Sequence, residues 1–255
     1  MFRATCSGPL RSAIAFVHVP KCAGTSVDRA IRRVYRSPEV FEGHGIFGPN
    51  WHTADRVAAF RGGDDWAVRD IIACYYLERA ETRYMTGHFR VGESLLDRFG
   101  EDYAFVTVLR DPVERWLSHF FFDRQHDQDH AYGIEQSLEA FVESERARRR
   151  AHIYQSYFSG CRPREDEEFD AGDDALARAK ANLRRFEIVG FVEQLDEFAR
   201  EFRERLGGDL RLIRVNRTPD DARRSEVPDE IRARIREMCQ KDIELYEFAR
   251  DEFGE

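Results

Sequence analysis

The chain contains few cysteines, and their spacing forms no recognisable pair. The five are Cys6, Cys22, Cys74, Cys161 and Cys239, an odd number without a C-x-x-C sequence. The sequence also lacks H-E-x-x-H, EF-hand spacing and a paired Cys/His cluster, so neither a disulfide framework nor a metal site is expected. The cysteine content instead fits the reducing environment of a cytoplasmic protein.

Long apolar runs and an excess of positive charge are missing as well. The apolar run that starts at Ile14 is interrupted by Pro20 and Lys21, short of membrane-spanning length, and the extreme N-terminus carries only Arg3. We therefore expect no signal peptide and no membrane anchor. The net charge of −8 argues against binding along a nucleic-acid backbone, which requires clustered positive charge.

No Pro/Gly/Ser-rich linker and no internal repeat divides the 255 residues. With 42% hydrophobic residues, the chain can bury a substantial core, and we expect a single domain over residues 1–255. Candidate helices follow each of the principal predicted strands, which is the pattern of a parallel sheet covered on both faces. The predicted fold class is α/β, a three-layer P-loop-like fold with a central, mainly parallel sheet flanked by helices.

The segment from Ile14 to Ser26 has the pattern of a phosphate-binding loop. A strand is predicted from Ile14 to Val19, Pro20 ends it, and Thr25 is expected to cap the helix that follows. The N-terminus of that helix favours an anion, Gly24 permits close approach of the backbone, and Lys21 adds positive charge. Because no glycine precedes the lysine, the loop is not a Walker A motif and an ordinary kinase is disfavoured. The residues alone also allow a plain strand-turn-helix with an exposed lysine.

A second strand, predicted from Tyr103 to Leu109, runs directly into Arg110-Asp-Pro-Val-Glu-Arg-Trp-Leu-Ser118. Pro112 suits the first turn of a helix. Arg110 therefore lies where open α/β sheets bind ligands, and Ser118 follows two turns later on the helix. Arginine can make paired hydrogen bonds to a phosphate, but an ion pair of Arg110 with Asp111 or Glu114 is the alternative.

Together the two segments resemble the sulfotransferases that use 3′-phosphoadenosine 5′-phosphosulfate (PAPS), and in particular the carbohydrate branch that contains heparan sulfate 2-O-sulfotransferase. The family pattern H-x-P-K-x-x-G-T-S matches His18 to Ser26, and L-R-D-P-x-x-R-x-x-S matches Leu109 to Ser118. The resemblance implies PAPS as co-substrate, without a metal, in a soluble bacterial-type member. It also implies the residues that bind PAPS, which are Lys21, Cys22, Ala23, Gly24, Thr25 and Ser26 for the 5′-phosphosulfate and Arg110 and Ser118 for the 3′-phosphate.

Two further segments are similar to the same branch. Residues 84–92 resemble the family's G-H-F segment, which implies that His88 is the catalytic base at the end of a short strand. Residues 186–198 resemble the late strand and helix that help close the nucleotide site. The resemblance covers residues 14–198, and Glu42 or His44, in a Gly-rich stretch, remains an alternative base.

The expected reaction is in-line transfer of the sulfuryl group to an acceptor hydroxyl. His88 would remove the acceptor proton, and the Lys21 ammonium would stabilise the charge on the leaving group. Arg115 is a further candidate for holding the anionic donor, or else is bound to a carboxylate. The basic run Arg146–Arg150 would either contact an anionic acceptor or form a solvated helix face.

By resemblance the acceptor is a carbohydrate, although its identity and the position sulfated stay open, as does the oligomeric state. Two other functions remain to be separated from this one: a P-loop-type kinase, and a catalytically silent nucleotide-binding module. A kinase would need magnesium and an acidic residue to hold it. A silent module would bind the diphosphate nucleotide without turnover.

Overall fold

A parallel sheet of five strands forms the centre of the molecule, for which a computed structural model describes residues 12–35, 46–125, 133–161, 172–212 and 226–254. The strand order is β2-β3-β1-β4-β5, and every neighbouring pair is parallel. The strands are β1 (Ala13–Val17), β2 (Ile46–Phe47), β3 (Tyr84–Gly87), β4 (Tyr103–Leu109) and β5 (Ile188–Phe191). Glu42 and His44 lie outside the described residues.

Helices connect the strands and follow them to the end of the described chain. The first five are α1 (Gly24–Tyr35), α2 (Trp51–Arg61), α3 (Asp65–Glu78), α4 (Glu93–Phe99) and α5 (Pro112–Gln125). The next five are α6 (Leu138–Val142), α7 (Glu145–Ala151), α8 (Ile153–Ser159), α9 (Asp173–Leu183) and α10 (Leu195–Glu201). A 3₁₀ turn (Val192–Gln194) precedes α10, a π-helical turn (Phe202–Leu206) follows it, and the last two helices are α11 (Asp229–Met238) and α12 (Gln240–Phe253).

Each face of the sheet is covered by its own hydrophobic cluster, because successive strand residues point to opposite faces. Ala15 and Val17 of β1 face α3, α4, α8, α9 and α12. Ile14 and Phe16 of the same strand face α1, α10 and the π-helical turn. The expected α/β fold with three layers and a parallel sheet is therefore confirmed.

A third cluster lies beside the sheet, where α5, α6, α7 and α11 pack around Trp116 and Phe120. Trp116 is fully buried, and its indole N–H donates to the carbonyl of Ala147 at 3.0 Å. This cluster holds α5 in place next to the carboxyl ends of the strands.

Three predicted element boundaries were wrong. β1 ends at Val17 rather than Val19, so His18 follows the strand instead of lying within it. α1 begins at Gly24, and Thr25 lies inside its first turn rather than capping it. The final helix, expected as a single element from about Pro228 to Phe253, is two helices, because the chain turns at Cys239. Within the described ranges, no helix is both long enough and apolar enough to cross a membrane.

Candidate functional site

The loops after β3, β1 and β4 lie side by side at the carboxyl edge of the sheet. Val17 pairs with Gly87 on one side and with Thr107 on the other. Since all the strands are parallel, the segments that follow them emerge at the same rim. His88 therefore lies on one side of the loop that joins β1 to α1, and Arg110 lies on the other.

The loop between β1 and α1 is held in an unusual backbone conformation. Lys21 and Ala23 both have positive φ angles, 67° and 55°, which non-glycine residues rarely adopt and which cost about 1–3 kcal/mol each. The Ala23 carbonyl accepts hydrogen bonds from the N–H groups of Ser26 at 2.9 Å and Val27 at 3.2 Å. The first turn of α1 thus faces the rim with the positive end of its dipole, as an anion site requires.

The predicted nucleotide-binding residues of this loop differ in accessibility. Thr25 is exposed, whereas Ser26 is only 9% exposed. The Cys22 thiol is buried and lies 3.4 Å from the Tyr154 hydroxyl, and burial raises its pKa to about 11. Cys22 is therefore a neutral core thiol, and only its backbone can take part in binding an anion.

Gly24 is required at its position by the ring of His18. A Cβ atom on Gly24 would lie well inside van der Waals distance of the His18 imidazole. The ring is partly buried, and burial, followed by the nearby His88 and Lys21, holds the pKa of His18 well below its usual range. The contact locks the end of β1 to the start of α1.

We expect Gly24→Ala to lower the free energy of unfolding by about 1–3 kcal/mol, because the His18 ring or the helix must move. The matched control is Gly63→Ala, where an added Cβ meets nothing within 4 Å. Denaturant titration of both variants measures the difference. Equal stability of the two variants would contradict the packing argument.

Lys21 lies against α5. Its ammonium nitrogen is 3.6 Å from the centre of the Phe122 ring, a cation–π contact. Lys21 is partly exposed, so its charge is at the rim rather than in the core. The Phe122 ring thus holds the ammonium group itself between α5 and the loop.

His88 directly follows β3, as predicted, and its tautomer is fixed by a backbone contact. Its Nδ1 atom lies 2.5 Å from the carbonyl oxygen of His18. A carbonyl oxygen can only accept, so Nδ1 carries the hydrogen and Nε2 keeps a free lone pair. Burial lowers the pKa of His88 to about 4, against the opposing effect of the His18 carbonyl. The imidazole is therefore neutral at pH 7 and able to accept a proton at Nε2.

Arg110 follows β4 and carries a charge without a partner in the described part of the chain. The two acids proposed as alternative partners are engaged elsewhere. Asp111 accepts the N–H of Glu114 at 2.9 Å, and Glu114 pairs with Arg232 at 2.8 Å. The Arg110 side chain is partly exposed, and its guanidinium is thus available to an anion at the rim.

Two polar residues of α5 are more buried than the sequence indicated. Ser118 is 8% exposed, and Arg115 is fully buried. One Arg115 nitrogen donates to the carbonyl of Arg150, while Nε and Nη1 have no hydrogen-bond partner in the described part of the chain. Within the described ranges Arg115 forms no ion pair with a carboxylate, so that alternative was wrong, and its part in holding the donor stays a prediction.

The basic run on α7 divides into two parts. Arg148 and Arg149 pair with Glu145 on the exposed side of the helix. Arg146 and Arg150 instead turn inward to Asp123 of α5. Arg148 and Arg149 therefore form the predicted solvated helix face. Arg146 and Arg150 instead pack against α5, beside Lys21.

His119 is not among the site residues predicted from the sequence. It lies one turn before Phe122 on α5, so it shares the helix face that supports Lys21. Burial, then the positive charges of Arg150, Arg115 and Lys21, hold the pKa of His119 well below its usual range. Its Nδ1 atom is buried and has no hydrogen-bond partner among the residues described. The helical spacing to Phe122 was the available signal, but nothing in the sequence showed which face of α5 meets the loop.

The described residues contain no group of three or more His, Cys, Asp or Glu side chains placed to hold a metal ion. The charged and polar groups brought together at the rim are instead those that suit a phosphorylated ligand.

Comparison with known proteins identifies the family. The profile of the sulfotransferase family matches residues 11–249. A sulfotransferase of known crystal structure from Alicyclobacillus acidocaldarius is 16% identical, with 92% of this chain and 96% of that chain covered and a TM-score of 0.43. No curated protein is similar to this chain at a significant level. The family match spans nearly the whole sequence, and the chain therefore belongs to the sulfotransferase family, enzymes of sulfuryl transfer that generally use PAPS as donor.

Proposed function

We propose that this protein transfers the sulfuryl group of PAPS to a hydroxyl group of a carbohydrate acceptor. The observation that carries the proposal is the order of three loops along the rim. His88 lies on one side of the loop that contains Lys21, and Arg110 lies on the other. The proton acceptor His88 and the anion-binding Arg110 thus lie on opposite sides of the Lys21 loop, each at the end of a neighbouring strand.

Donor binding is assigned to the two loops that match the family motifs. The N–H groups of residues 22–26 and the hydroxyls of Thr25 and Ser26 would hold the 5′-phosphate at the N-terminus of α1. Arg110 and Ser118 would hold the 3′-phosphate. The proposal is supported by the Arg110 guanidinium, which makes no ion pair within the described ranges and is partly exposed.

The reaction requires one proton to be removed and one charge to be neutralised. The acceptor oxygen bonds to sulfur while the bond from sulfur to the bridging oxygen breaks, and 3′,5′-diphosphoadenosine departs. His88 Nε2 takes the acceptor proton. The Lys21 ammonium stabilises the charge that develops on the departing phosphate.

The carbohydrate class rests on the resemblance of four segments to the branch that contains heparan sulfate 2-O-sulfotransferase. Fold and family alone do not choose an acceptor.

Calorimetric titration tests the donor site. We expect 3′,5′-diphosphoadenosine to bind much more tightly than ADP and without magnesium. Preference for ATP with magnesium would replace the proposal by a kinase, and failure to bind any nucleotide would remove it. A following screen with PAPS should show turnover with a uronate-containing polysaccharide, rather than with a peptide tyrosine or a small alcohol. Binding without turnover on any of the three would favour the silent module.

We expect Arg110→Ala to weaken binding of 3′,5′-diphosphoadenosine by roughly 100-fold, since charge-assisted hydrogen bonds to the 3′-phosphate are lost. ADP, which has no 3′-phosphate, should bind the variant almost as it binds wild type. The control is Arg98→Ala, a surface residue paired with Glu78, which should change neither affinity. Unchanged affinity of Arg110→Ala for the diphosphate would remove the assigned role.

A further inference from the structure

The hydroxyl of Tyr154 is bound to both backbone polar groups of Arg110. It accepts the Arg110 N–H at 2.8 Å and donates to the Arg110 carbonyl at 2.5 Å. Tyr154 is fully buried, and burial holds the pKa of its hydroxyl well above the usual range, so the hydroxyl stays protonated and can donate. One side chain thus fixes the backbone of Arg110, the first residue after β4.

The same hydroxyl lies 3.4 Å from the thiol of Cys22, in the loop after β1. Tyr154 therefore contacts both of the loops assigned to the donor, although it belongs to neither. Its ring is held from the other side by the Arg115 guanidinium, whose central carbon is 5.6 Å from the ring centre. Arg115 is therefore placed to support Tyr154.

Asp242 of α12 anchors the helix that carries Tyr154. Its two carboxylate oxygens accept the N–H groups of Tyr154 at 2.9 Å and Gln155 at 3.0 Å, in the first turn of α8. Asp242 is fully buried, and burial raises its pKa to about 7. A continuous set of hydrogen bonds thus runs from the last helix, through Tyr154, to Arg110.

We propose that Tyr154 is the positioning residue for the 3′-phosphate: its hydroxyl fixes the backbone of Arg110 so that the guanidinium meets the phosphate without a loss of backbone freedom on binding. The inference rests on the proposed function, because it assigns Arg110 to the 3′-phosphate. It adds a residue outside both motifs, 44 positions from Arg110 in sequence.

Tyr154→Phe isolates the hydroxyl because the ring and its packing remain. We expect the affinity for 3′,5′-diphosphoadenosine to fall about tenfold, while the affinity for ADP changes by less than about twofold. Arg110 is partly exposed, so water can reach its freed backbone groups and the variant should fold. The readout is the ratio of the two affinities, which a general loss of stability would not change.

Tyr157→Phe is the matched control. Tyr157 is also fully buried on α8, but none of the residues that the structure describes forms a hydrogen bond with its hydroxyl. Its removal should leave the affinity ratio unchanged. A second test variant is Asp242→Asn, which removes one acceptor from the first turn of α8 and should lower the ratio by about threefold.

A double-mutant cycle completes the experiment. In the Arg110→Ala background, Tyr154→Phe should change the affinity for 3′,5′-diphosphoadenosine by less than about twofold, since its effect acts through Arg110. If Tyr154→Phe keeps the wild-type ratio, or lowers both affinities equally, the inference is overturned and the proposed function stands. If wild type itself shows no preference for the 3′-phosphate, the proposed function fails and the inference fails with it.

Discussion

Replacing His88 with alanine is expected to lower kcat by about 10²–10⁴, the usual contribution of a positioned general base. The reason is the contact between Nδ1 and the His18 carbonyl, which leaves Nε2 as the proton acceptor. The affinity for 3′,5′-diphosphoadenosine should stay within about twofold of wild type, because His88 has no assigned part in holding the donor. Release of 3′,5′-diphosphoadenosine from PAPS, with the best acceptor of the screen, measures kcat.

The pH profile gives a second, independent readout for His88. Because burial lowers its pKa to about 4, the base form should persist down to that pH. The acidic limb of kcat/KM is expected near pH 4 rather than near the ordinary histidine value of about 6.5. Activity should fall as the pH decreases through this pKa, because a protonated His88 can no longer accept the acceptor's proton. Near-wild-type kcat in His88→Ala would transfer the role to another base, with His119, Glu42 and His44 the residues to replace next.

Replacing Lys21 with methionine is expected to lower kcat by roughly 10²–10³, the typical cost of removing one electrostatic contact to a developing charge. Methionine keeps the stem and can still pack on Phe122. It also meets the same left-handed backbone as lysine, whose φ is 67°. The stability of the variant should therefore stay close to that of wild type, and the loss of activity should report the charge.

Lys180→Met is the control for Lys21→Met. Lys180 is one of only three lysines in the chain and pairs with Glu244 on the protein surface. Its replacement should leave kcat unchanged, because Lys180 belongs to neither of the loops assigned to the donor and a partly exposed ion pair contributes little to stability. A kcat of Lys21→Met within about fivefold of wild type would show that the leaving group is stabilised by other groups.

The local parts of the fold were predictable from particular residues. The apolar runs that end at Val17 and Leu109 predicted two buried parallel strands, and each strand is followed by the expected helix. The prediction that Thr25 caps α1 was wrong, because a helix starts at the first backbone carbonyl that accepts a hydrogen bond from within the helix. Here the accepting carbonyl belongs to Ala23, whose positive φ no propensity scale predicts.

The relative positions of the site residues could not be predicted from spacing. The strand order decides that His88 and Arg110 lie on opposite sides of the Lys21 loop. Contacts between distant segments, such as Tyr154 with Arg110, depend on helix packing, which one sequence does not specify. The roles of Lys21, His88, Arg110 and Ser118 in catalysis and binding stay predictions.

The hydrogen bonds of Asp242 have a consequence for the order in which the protein matures during its synthesis. The loop at Lys21 is made first, and Asp242 follows about 220 residues later, a delay of about 10–40 s at the usual rate of translation. Until then α8 lacks the carboxylate that binds its first turn. A nascent chain should therefore carry both motifs, which are complete at Ser118, through about 120 further residues of synthesis without a finished nucleotide site. Only after α12 has docked would the growing protein begin to compete for cellular PAPS.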